Sequence, residues 1–292
     1  MTLDIVTLPR PDDAPQARLL RRARREAPAD ARPWAWVLGR LGLVPDDAPL
    51  AALCALGEGL PAGRWMRADP VALVPNRDHL VMAGNAHLGL AAEEAEALAR
   101  HLAQWDLAPG LARPHPRRWY WPLEDEAGVR APPWGEVLGR DIRPALPRGP
   151  AARVWRARLA EWEMALYQSP VNEARRAQGR PTVDSLWLWG AGDLPEAPGA
   201  PWRWVAGEGP LARGLAAWLG LPHAPLDRLP EGVGLILLDE GLEGPPEGPA
   251  PLDWEILAAR LRRGDWPALR VVRAGEGVFT VRAPPRWAFW RR

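Results

Sequence analysis

The sequence predicts a mixed α/β protein in which sheet is covered by helices. Three observations carry that expectation. Short apolar runs alternate with amphipathic stretches through the second half of the chain. Glycine and proline fall where helical stretches stop and start. Two of the runs, SLWLW (Ser185–Trp189) and VGLILL (Val233–Leu238), lack the alternation of a half-solvated strand and so require burial on both faces. With 292 residues the chain is long enough for one large domain or two smaller ones.

The elements follow in order, although the first sixty residues carry little pattern. Pro15 to Glu26 has helical spacing, with Arg18, Arg21, Arg22, Arg24 and Arg25 on it and Asp12 and Asp13 placed to favour a helix N-terminus, so a solvated surface helix is expected. A short helix is expected around Trp34 to Leu41. From Arg64, RWMRADPVALV, a turn at Pro75 and Asn76, and then DHLVMAG read as two strands and a tight loop. Ala91, Ala95, Leu98 and Leu102 define a helix with Glu93 and Glu94 in its first turn, and RRWYWPL is a further strand. Trp155, Leu159, Trp162 and Leu166 define a long helix; Ser169 and Pro170 then open another as N-cap and first residue, and Gly179 ends it.

Beyond Gly179, SLWLW, WRWV (Trp202–Val205) and VGLILL are expected as strands of a C-terminal sheet. Helices cover it at Leu211–Leu219 and around Trp254–Leu261, and a hairpin over Arg270–Arg273 and Gly277–Arg282 closes it. The expected organisation is an N-terminal α+β region at 1–125, a Pro/Gly-rich junction at 126–149 and a C-terminal α/β region at 150–292, or one continuous domain.

Composition excludes much chemistry. There is no lysine, which removes Schiff-base catalysis, pyridoxal phosphate linkage and the P-loop and kinase lysines. Serine occurs only at 169 and 185, and Cys54 is the single cysteine, so internal disulfides and paired-thiolate zinc sites are out. The net charge of +1 offers no field for nucleic acid or an anionic membrane, and neither partner is expected. No segment approaches the roughly 18 apolar residues of a membrane span, and a cytoplasmic location is expected.

Several residue groups are candidate sites. Gly207, Gly209 and Ala212 match the dinucleotide pattern G-x-G-x-x-[G/A], and Asp227 lies about twenty residues on. Against that reading, LGLPHAPLD before Asp227 contains no strand-like run, and Pro210 removes one amide from the helix start. His79, His87, His101, His115 and His223 are scattered, so no metal site and no cofactor is expected. Asp239 and Glu240 sit at a strand end, where catalytic or merely solvated carboxylates both occur. An anion pocket is the stronger candidate. Arg67 and Arg77 lie on and beside the first strand pair, and Arg176 lies on the helix leading to Trp189 and the glycine turn at Gly190 and Gly192.

The run PVNEARRAQGRPTVDSLWLWGAGDLP (170–195) resembles the signature of the RpfE-type regulatory protein family of proteobacteria, supported by RWMRADPVALVPNRDHLVM and RVWRARLAEWEMALYQSPVNEAR. The same run with VAGEGPLARGLAAWLG is similar to part of the archaeal-type cofactor-independent phosphoglycerate mutases. That likeness implies a reduced form of the alkaline-phosphatase-superfamily scaffold, two divalent metals held by Asp and His, and a phosphoryl-carrying Ser. The sequence has no N-terminal Asp-Gly motif, no serine before Ser169 and no His pair after LILLDEGLE. What the resemblance implies is therefore a non-catalytic or regulatory protein, with Asn172, Arg176, Trp189, Gly190 and Gly192 lining a pocket for a small phosphorylated or carboxylated metabolite. The alternatives are an active phosphoglycerate mutase and a protein-interaction module built on the aromatic tail Trp287, Phe289 and Trp290 beside Arg291 and Arg292.

Overall fold

The computed structural model describes residues 2–9, 14–21, 23–27, 30–107, 110–124, 129–244 and 252–284. The aromatic tail, Asp12, Asp13 and Arg22 lie outside them. The chain divides into two compact units, one built from 1–46, 196–241 and 245–292 and the other from 47–195 with 242–244. This division does not follow the expected one: the stretch 126–149 runs inside the second unit. There the Gly139 and Ile142 amides donate to the Met82 and Leu80 carbonyls, and Trp134 is fully buried. Proline and glycine mark irregular backbone here, not a boundary.

The first unit is a seven-stranded sheet in the order β2-β12-β11-β1-β10-β8-β9. Its parallel part comprises β11 (Ala268–Arg273), β1 (Thr2–Thr7), β10 (Gly234–Leu237), β8 (Trp204–Ala206) and β9 (His223–Ala224). β12 (Gly277–Arg282) and β2 (Arg24–Ala27) extend it antiparallel. The helices are α1 (Ala14–Leu20), α2 (Pro33–Arg40), α8 (Pro210–Trp218) and α9 (Trp254–Arg263). Leu3, Ile5, Ile236, Leu257, Leu261, Trp266 and Val271 meet in one apolar core.

Three expectations are corrected here. The helical pattern over Pro15–Glu26 ends at Leu20, and Arg24–Ala27 instead adds a strand to the outer edge of β12, because ladder pairing outweighs weak local propensity. Residues 2–7, given no element by the pattern, form β1 between β10 and β11; buried Asp4 breaks their apolar run, accepting from the Trp202 indole at 2.9 Å. LGLPHAPLD does contain a strand, β9, which has only two residues because Pro222 and Pro225 flank it.

The second unit is an antiparallel five-stranded sheet organised on β3 (Trp65–Asn76), which pairs with β4 (His79–Gly84), β6 (Arg118–Pro122) and β7 (Ser185–Gly192); β5 (Ala112–His115) extends β6. Its helices are α3 (Leu50–Gly57), α4 (Ala92–Gln104), α5 (Trp134–Val137), α6 (Ala152–Tyr167) and α7 (Pro170–Ala177). SLWLW thus belongs to this sheet and not, as expected, to the sheet of WRWV and VGLILL. Leu186 and Leu188 enter the core with Trp155, Trp162 and Leu166 of α6, while Trp187 and Trp189 alternate to the other face. Both faces are covered, which explains the unbroken apolar run. Ser169 caps α7 by accepting from the Asn172 amide at 3.2 Å, and Gly179 follows with φ of +66°.

Candidate functional site

Arg67 and Asp69 stand two residues apart on β3, so their side chains project from the same face. Both are fully buried. Nε and Nη2 of Arg67 donate to the two Asp69 oxygens, each at 2.8 Å, and Nη2 also donates to Glu243 at 2.8 Å. The guanidinium lies between two rings, 5.0 Å from the Tyr120 centroid and 4.8 Å from that of Trp189, its partner across the β3/β7 ladder. Asp69 further accepts from the Trp189 indole at 2.8 Å and the Trp119 amide at 3.3 Å. Arg118 joins the group by pairing with Glu58 and reaching Glu243 at 3.8 Å.

Burial is the largest influence on Asp69 and lifts its carboxyl to about 6 against the pull of Arg67. Burial opposes the charge on Arg67 and Glu243 as well. Yet the charges of Asp69 and Glu243 hold Arg67 well above its ordinary value, and those of Arg67 and Arg118 hold Glu243 below its own. Burial likewise pushes the Tyr120 phenol up. The result is a largely buried charge cluster of two arginines and three carboxylates.

Of the residues expected to hold an anion, the structure brings Arg67 and Trp189 into contact and places Gly190 and Gly192 on the same strand as Trp189. Gly190 has φ of +68°, and a Cβ there would lie 2.9 Å from the Ala51 backbone nitrogen, so its role is close packing against α3. Asn172 is buried elsewhere, bonding the Leu166 carbonyl at 2.8 Å and the Val183 carbonyl and amide at 2.7 and 3.0 Å. Arg176 is exposed, stacked 4.8 Å over Tyr167, and Arg77 is exposed at the β3–β4 turn. These seven residues do not converge on one cavity. The pattern reading missed Asp69, Tyr120, Arg118, Glu58 and Glu243. The available signal was Arg67-x-Asp69, two charges on one face of an otherwise apolar strand.

In the first unit, the carboxyl ends of the parallel strands gather a second set of polar groups. Asp239, beyond β10, accepts from the Thr7 hydroxyl at 2.8 Å and the Leu8 amide at 3.0 Å. Glu240 accepts from the Ala212 amide of α8 at 2.9 Å. Past β8 and β9 a cavity of about 420 Å³ opens between Gly207, Glu208, Arg213, His223 and Asp227. Among the described residues, no three His, Cys, Asp or Glu side chains are grouped to share a metal ion, and no helix is long and apolar enough to cross a membrane.

Fold and site together define a mixed α/β protein with a mainly parallel sheet in one unit and an antiparallel sheet holding a buried charge cluster in the other. Two solved structures are similar to it at a distance. The cofactor-independent phosphoglycerate mutase from Thermoplasma acidophilum DSM 1728 is 20% identical, over 96% of this chain and 89% of that one, with a TM-score of 0.41. The PH0037 protein from Pyrococcus horikoshii is 16% identical, over 98% and 88%, with a TM-score of 0.46. No family model matches the sequence, and no curated protein matches it.

Proposed function

We propose that the chain is a non-catalytic regulatory protein of the RpfE type, a reduced mutase scaffold of the alkaline-phosphatase superfamily that binds a small phosphorylated or carboxylated metabolite. The observation that supports this reading is the engagement of its best-placed carboxylates. Asp239 and Glu240, at the strand ends where α/β enzymes position reacting groups, each accept hydrogen bonds from their own unit. Asp69 accepts from Arg67, Trp189 and Trp119. Each of these carboxylates is engaged in contacts that hold the fold.

An assay of 3- and 2-phosphoglycerate interconversion with manganese or zinc, together with metal analysis of the purified protein, tests the reading. It predicts neither turnover nor stoichiometric metal; the two together would overturn it in favour of an active mutase. The anion contact proposed for this reading is Arg176, an exposed side chain on α7 that also donates to the Tyr167 carbonyl at 2.9 Å. Phosphorylated metabolites are expected to raise the melting temperature of the wild type, and Arg176→Ala to remove that shift.

A further inference from the structure

β8, α8 and β9 form a βαβ unit in which the two strands are parallel neighbours, with Val205 opposite His223 and Ala206 opposite Ala224. The chain leaves β8 through α8 toward β9. It leaves the adjacent β10 through α9 toward β11, on the far side of β1. Where connections depart in opposite directions, the carboxyl ends of the strands open a crevice, the usual ligand position in such sheets. The cavity of about 420 Å³ lies at the same edge of the sheet but one strand further out, past the ends of β8 and β9, and is of a size that holds a small organic ligand.

The chemistry of its walls is specific. The N-terminus of α8, where a dinucleotide fold seats a phosphate, is already filled: Glu240 accepts the Ala212 amide there, and a Cβ on Gly209 would collide with the Glu240 carboxylate. A phosphate arriving at that point meets a resident negative charge. The cavity beside it offers different groups. Asp227, three residues past the end of β9, and Glu208 are exposed carboxylates that accept hydroxyl hydrogens. His223 donates through Nε2 to the Gly207 carbonyl at 2.8 Å, since a carbonyl only accepts. Arg213 is held by the Glu208 carbonyl, and Pro225 and Leu226 add an apolar wall suited to a flat ring.

We propose that this cavity binds an unphosphorylated ribonucleoside, its vicinal ribose hydroxyls on Asp227 and its base against Pro225 and Leu226, with Glu240 excluding the 5′-phosphate form. The inference stands apart from the regulatory reading, since such binding is compatible with turnover of phosphoglycerate or with none.

Calorimetric titration of the full chain with the four common ribonucleosides, their 2′-deoxy forms and their 5′-monophosphates tests it. At least one ribonucleoside is expected to bind, and both its 2′-deoxy form and the Asp227→Ala variant to weaken binding by about tenfold, the worth of a hydrogen bond to a charged group. The monophosphate is expected to bind more weakly than the nucleoside to the wild type and to recover in Glu240→Gln, whose amide oxygen still accepts from Ala212. Asp227 is exposed, and Asp227→Asn with an unchanged circular dichroism spectrum separates a lost contact from a lost fold. The proposal is overturned if no ribonucleoside binds at millimolar concentration, if ribo and deoxy forms bind alike, or if the monophosphate is preferred by the wild type.

Discussion

At the scale of single residues, several of the few charges buried in this protein are paired. Arg175 is almost fully buried on α7, where it donates to Glu94 at 2.7 Å and to the Pro181 carbonyl at 2.6 Å. Glu94 also accepts from the Ala91 amide at 3.1 Å and from Arg180 at 3.0 Å. Burial alone would raise the Glu94 carboxyl, but these donors hold it below the ordinary glutamate value. Glu94→Ala leaves Arg175 buried without its carboxylate and should cost about 3 kcal/mol, read from urea denaturation. A carboxyl with a lowered native pKa stabilises above its unfolded value, and that stability is lost as pH falls through the native one. The deficit of Glu94→Gln relative to wild type should therefore shrink in acid. Asp69 has the opposite sign. Raised to about 6 from an ordinary 3.8, it binds more protons in the native state through that interval. Wild type should then lose stability relative to Asp69→Asn as pH rises from 3.8 to 6, and a flat difference would count against a raised Asp69.

At the scale of elements, legibility depended on whether a segment's own pattern decided its state. α6, α7, α8 and α9 carry four-and-three apolar spacing or clear punctuation, and their bounds fall close to expectation; Asp253 caps α9 by accepting from the Glu255 and Ile256 amides, and Gly264 ends it with φ of +88°. Strands set by partners far along the chain were harder. β2, β9 and β1 owe their state to neighbours that no local window contains. For the same reason the sequence placed Arg67 and Trp189 among candidate residues without revealing that they face one another. Their pairing across β3 and β7 spans more than a hundred positions, and it sets both in a buried charge cluster. Two variants test the elements that were legible. Ser169→Ala removes the α7 cap and should cost about 1 kcal/mol. Gly190→Ala puts a Cβ against α3 at a positive φ and should cost roughly 2 kcal/mol or more, in thermal unfolding.

At the scale of the whole molecule, the two units differ in how much chain each must gather. The second is almost continuous, 47–195, whereas the first draws on both ends of the sequence. β1 pairs with β10 and β11, and Thr7 bonds Asp239 across 232 positions. Long loops must close before such contacts form, which slows them. Pulsed hydrogen exchange during refolding should protect amides of β3 and β7 before those of β1; simultaneous protection would show that the long-range sheet does not lag.

The place of β1 also decides what its loss would do. Deleting Thr2–Thr7 would remove six residues of regular structure and with them the middle of a seven-stranded sheet. β10 and β11 would then each present a bare, apolar ladder to solvent, the kind of edge that recruits other chains. A variant lacking these six residues is expected to aggregate on expression, read from the insoluble fraction.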